Sequence, residues 1–134
     1  MIEPGAELAY LFRHALLRDA AYELQPPSDR GRLHALALDV IEQLFEGREA
    51  ELDVMASELV RHAELAGRDD RECHWLEFAA WQLGERAVAL KQAGDPGAPE
   101  AYEAALTALR AHAPADVKYY EDKWSAAPVN DCVQ

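Results

Sequence analysis

Basic residues are scarce in this chain. Thirteen lysines and arginines stand against 25 aspartates and glutamates in 134 residues, a formal charge of −12. A surface this acidic repels phosphate backbones and anionic lipid, so neither a nucleic-acid partner nor membrane attachment is expected. Cysteine is nearly absent. Cys73 and Cys132, one in a helical stretch and one in the tail, make no disulfide framework. No apolar run approaches the roughly 18 residues that span a bilayer. The opening MIEPGAELAY lacks the basic start of a signal peptide, so a cytoplasmic location is the expectation. No segment alternates with period two for long enough to make a strand. The phosphate-cradling GxxxxGK[ST] loop, GxSxG and HExxH are all missing.

What is present is helical periodicity. Half the residues are apolar, which argues for a folded core. Leu16, Leu17, Ala20, Ala21 and Leu24 read as helix until Pro26-Pro27 interrupt it. Leu33, Leu36, Ala37, Val40, Ile41, Leu44 and Phe45 recur in steps of three and four and predict one apolar face. Ser28 or Asp29 is placed to cap that helix, and Gly47 to end it in a left-handed conformation. Leu52, Met55, Ala56, Leu59, Val60 and Ala63 form the next stripe, closed by Gly67.

Asp69 and Glu72 then have capping-box spacing, and a long helix is expected to about Ala93. Its apolar positions, Trp75 to Leu90 with Trp81 and Val88 beside them, are wide enough to meet helices on two sides. Gly94-Asp95-Pro96-Gly97 is the clearest break. A stripe from Ala98 to Leu109 follows, then Pro114, and Asp116 is placed to cap a short last helix through Trp124. The expectation is an all-α domain, residues 1–126, of five to six helices in antiparallel hairpins. Residues 127–134 are expected to be a flexible tail.

Catalytic chemistry finds little support. His14, His34, His62, His74 and His112 never pair at the spacing that sets two ligands on one helix face, so they read as surface or boundary residues and no metal site is expected. The acidic residues are scattered like solvated faces. No cofactor is expected, and a metal-dependent helical enzyme is the least favoured reading. Most aromatics at helical spacing are core. Tyr119, Tyr120 and Trp124 are the exception: a short last helix cannot easily bury all three, which marks them as partner-binding residues.

The run YLFRHALLRDAAYEL, followed by RGRLHALALDVIEQL, resembles the region after the ATPase core in bacterial signal-transduction ATPases with numerous domains, the STAND proteins. The form Y-x-F-x-H-A-L-[LI]-R-[DE]-x-A-Y is matched by Tyr10, Phe12, His14, Ala15, Leu16, Leu17, Arg18, Asp19, Ala21 and Tyr22. R-x-x-L-H is matched by Arg30, Leu33 and His34, and L-A-x-H in part by Leu59 to His62. The later stretch AWQLGERAVALKQAGDPGAPEAYEAALTAL is similar to tetratricopeptide repeats, with Leu83-Gly84 in a first helix and Ala98, Tyr102 and Ala105 in a second. Abundant alanine with little lysine or isoleucine fits a GC-rich bacterial genome.

The resemblance implies a tetratricopeptide-like module that binds a protein partner in a bacterial signalling or regulatory system, without catalysis of its own. The partner is expected to be an ATPase or a protein with a basic surface, and a homodimer is a further option because few hairpins leave uncapped apolar ends. In the family the His of the opening block senses bound nucleotide. That implies an alternative in which Arg13, His14 and Arg18 engage a separate ATPase subunit, since this chain has no phosphate-binding loop of its own. The bland reading of Arg13 and His14 is packing and capping.

Overall fold

The computed structural model describes residues 4–128, with side chains from residue 13 onward. The side chains of Tyr10 and Phe12, Cys132 and most of the expected tail lie outside the described residues. Six α-helices run through them: α1 (Pro4–Glu23), α2 (Pro27–Leu44), α3 (Glu49–Leu65), α4 (Asp69–Gln92), α5 (Ala98–His112) and α6 (Val117–Ala126), with a 3-10 turn at Pro114–Asp116 before α6. The fold is all-α, as the periodicity predicts.

The breaks follow from local chemistry. Pro27 opens α2, where its missing N–H costs nothing. α3 ends with the Arg68 N–H on the Ala63 carbonyl and the Gly67 N–H on the Glu64 carbonyl, both within 3.0 Å. That pairing needs a left-handed residue, and Gly67 supplies it at φ 69°. The capping expectations fare worse. No side-chain cap holds the N-termini of α2, α4 or α6. Ser28 and Asp29 lie inside α2, and Asp69 is already the first residue of α4. Acidic residues in the first turn of α4 still favour its positive end. Asp116 does not cap α6 because its carboxylate accepts the Trp81 indole N–H at 2.8 Å.

Helix directions can be read from polar pairs. His34 near the start of α2 meets His62 near the end of α3, and Asp53 near the start of α3 meets Arg86 late in α4. α2 and α3, and α3 and α4, are therefore antiparallel. α2 and α4 run the same way: Asp39 pairs with Arg68, and Glu42 accepts from Arg71 and from the Trp75 indole. α4 and α6 repeat this, through Trp81 to Asp116 and Glu85 to Tyr120 and Lys123.

Two cores result. Leu38, Leu52, Leu59, Ala63 and Trp75 join α2, α3 and the first half of α4, while Ala80, Leu109, Ala113 and Tyr120 join the second half of α4 to α5 and α6. α4 therefore packs on both sides, as its wide apolar face predicts. Leu38, Leu59 and Leu109 are fully buried, and each contributes about 1.5–3 kcal/mol by leaving water.

α2 departs from expectation. His34 and Leu38, outside the predicted face, are buried, and of that face only Ile41 and Phe45 pack partly buried against the core. Leu33, Leu36, Val40 and Leu44 lie on the adjacent stripe and are 43–65% exposed. The helix carries two apolar stripes about 100° apart, and the stack covers one.

Candidate functional site

At one end of the stack, three helices meet through a chain of hydrogen bonds. The Tyr22 hydroxyl, one residue from the end of α1, lies 2.7 Å from Nε2 of His34 on α2. His34 Nδ1 lies 2.8 Å from Nδ1 of His62 on α3. These three residues come from YLFRHALLRDAAYEL, RGRLHALALDVIEQL and ELVRH. Arg30 backs the arrangement: it stands 5.2 Å over the Tyr22 ring and donates to the Gln25 and Glu23 carbonyls at 3.0 Å, fixing the turn between α1 and α2. A cleft of about 540 Å³ opens onto the chain, lined also by Arg18, Asp19, Glu58 and Arg61.

His34 is buried, 7% exposed, which corrects its reading as a surface or boundary residue. Burial holds its pKa below the ordinary histidine value of 6.5, and the neighbouring His62 and Arg61 add to the effect. No spacing rule finds this pair, because the partners are 28 residues apart on antiparallel helices. Either ring can donate to the other, depending on the tautomer. No group of three or more His, Cys, Asp or Glu side chains gathers as a metal site among the described residues.

The other expected site residues divide. Arg13, His14 and Arg18 are exposed on α1, and Arg18 lies 3.6 Å from Asp19. Leu16, Leu17 and Leu24, in and just after α1, also face solvent, between 53 and 85% exposed. In the aromatic trio, Tyr119 is exposed and fits the expectation that one ring stays outside.

Tyr120 does not fit. It is 6% exposed, and its ring lies where a side chain at position 84 would be, so it is core and not a partner-binding residue. Burial, then the Glu85 carboxylate, pushes its pKa up. Trp124 is half-buried and stacks on Tyr102 of α5 at 4.3 Å between centroids and 5° between planes. Lys91 covers it at 4.8 Å.

Beside Tyr119 lies a groove of about 600 Å³ floored by Phe78 and Trp81. Of its three acidic groups, Glu85 pairs with Lys123 at 2.7 Å and Asp116 with Trp81, and Glu49 also lines it. An exposed apolar stripe runs along α2, made by Leu33, Leu36, Val40 and Leu44. Sequence reasoning named these leucines but assigned them to the core. No family model, curated protein or solved structure matches the chain.

Proposed function

We propose that the chain is a non-catalytic protein-interaction module, a tetratricopeptide-like stack from a bacterial signalling or regulatory system. The observation that carries this is the exposed α2 stripe: four large apolar residues on one face, on a helix whose other face is core. Single exposed leucines are ordinary, but a row of them on a rigid helix is a surface made to be covered. Its complement is an amphipathic helix laid along α2, recognised by anchors at steps of three and four. The chain's net charge of −12 favours basic flanks on that helix.

The tetratricopeptide-like part rests on two regularities. Polar partners recur between the parallel helices at separations of 29 to 33 residues for α2 and α4 and 35 to 38 for α4 and α6. A 34-residue helical-pair repeat places its first helices at about this interval. Gly84 also lets the ring of Tyr120 approach the α4 backbone.

The test is affinity capture from bacterial lysate with the parent chain and with Leu36→Asp and Leu44→Asp. Both positions are at least 60% exposed, so stability should stay within about 0.5 kcal/mol. Captured helical partners should bind at least tenfold more weakly. Partners retained in full by both variants would remove the stripe from the proposal.

A second reading is favoured by the exposure of Arg13, His14 and Arg18 on α1. In it the chain is a subunit that meets a nucleotide-bound ATPase through that helix. Repeating the capture with ADP, with ATP and with neither separates the two. Nucleotide-dependent recovery of an ATPase, lost in His14→Ala, supports the subunit; indifference to nucleotide supports the plain module.

A further inference from the structure

The Tyr22–His34–His62 chain has a property that hydrogen-bond counting fixes. Two Nδ1 atoms 2.8 Å apart can hold one proton between them. With both rings neutral, the chain is satisfied in either direction. In one, Tyr22 donates to His34 Nε2, and His34 Nδ1–H donates to His62. In the other, His62 Nδ1–H donates to His34, and His34 Nε2–H donates to Tyr22. The second direction leaves His62 Nε2 bare, so one proton from solvent can be added there without breaking a bond. A second proton has only His34 Nδ1 left to occupy, and there it would face the N–H of His62 head-on. Both rings would then be cations in contact.

We propose that this cluster is a proton-counting latch on the joint between α1, α2 and α3, shut with no proton or one added to the two imidazoles and open with two. The charged groups facing it come from all three helices: Arg18 and Asp19 on α1, Arg30 on α2, and Glu58 and Arg61 on α3. Asp19 and Glu58 offset Arg18 and Arg61, so the contact between the rings decides the response. The buried ring of His34 is the one that must take the second charge.

The sign follows from linkage. The closed joint refuses the second proton, while the open, hydrated joint accepts it near the ordinary value of 6.5. The closed state is therefore fully favoured above that pH and loses ground as pH falls below it, by up to about tenfold in the opening constant per pH unit for one proton. This direction agrees with the lowered pKa of His34.

Hydrogen exchange of the intact chain between pH 7 and 4.5, corrected for intrinsic rates, tests this. Amides in the C-terminal half of α1 and the first half of α2 should lose protection approaching tenfold per unit below pH 6.5, while those of α4 to α6 keep theirs. His62→Gln offers an amide oxygen that His34 can donate to when charged, and the response should flatten. Tyr22→Phe keeps the ring and removes the hydroxyl, so α1 should loosen at every pH with the slope unchanged. Nitrogen-15 spectra of the parent's imidazoles give a readout free of variants: the His34 ring should titrate below the ordinary histidine value. The latch is overturned by flat exchange in the parent, by a slope that survives His62→Gln, by equal loss in α4 to α6, or by two imidazoles titrating independently near 6.5.

Discussion

Gly84 and Glu42 show how much one position can decide. A methyl group at Gly84 would lie 2.7 Å from Cδ1 and Cε1 of Tyr120 and 3.1 Å from its Cγ. The clash is with the root of a buried ring, so the ring or the helix must move. Alanine gains up to about 1 kcal/mol over glycine in helix propensity, but overpacking costs about 1–3 kcal/mol. Gly84→Ala should therefore lower stability by about 1 kcal/mol in urea unfolding. In a Tyr120→Ala background it should be neutral or stabilising, because the clash is gone. An undiminished midpoint for Gly84→Ala alone would mean the ring is not pinned. Glu42 answers both Arg71 and the indole of Trp75, which is 4% exposed. Glu42→Ala strands a buried donor and should cost about 1–3 kcal/mol. Asp53→Ala breaks only the exposed pair with Arg86 and should cost less than about 1 kcal/mol. Equal losses would refute that ranking.

At the scale of the helix, α2 is the informative case. Leu36 and Leu38 look interchangeable in the sequence, yet one is 60% exposed and the other 0%. Leu38→Ala should cost about 2–5 kcal/mol and Leu36→Ala within about 0.5 kcal/mol, measured by thermal or chemical unfolding. The reverse order would exchange the two stripes. Helix identity was legible because three-and-four spacing and the glycines at 47, 67 and 94 are local signals. The buried face of α2 was legible only in part: Ile41 and Phe45 were on the predicted face, His34 and Leu38 were not, because two apolar stripes fit the period and only the neighbouring helices choose. Capping failed for a similar reason. Asp116 had a competing donor, Trp81, 35 residues away, invisible to any local rule. The histidine pair is the strongest instance: each residue alone is unremarkable, and the cluster exists only once α2 and α3 are antiparallel. Of the aromatic trio, the sequence could say that one ring would remain outside, but only the position of Gly84 decides that Tyr120 goes in.

For the molecule as a whole, charge sets a condition on stability. The ion pairs are mostly at the surface, as with Lys118–Asp122 and Arg48–Glu51, and such pairs contribute little. The net charge of −12 repels itself through the entire fold. Raising salt from 0.01 to 0.1 M shortens the screening length from about 30 to about 10 Å and should raise Tm by a few degrees. A falling Tm would mean the ion pairs outweigh the repulsion. A stack held by neighbouring contacts also need not melt as one unit. Its three tryptophans stand at three different seams: Trp75 where α2 meets α4, Trp81 where α4 meets the 3-10 turn, and Trp124 where α5 meets α6. The chain thus carries its own set of optical reporters, one per seam. With two of the three changed to phenylalanine in each variant, the surviving emission follows a single seam. Coincident curves would describe one cooperative body, and staggered ones would give the order in which it unzips.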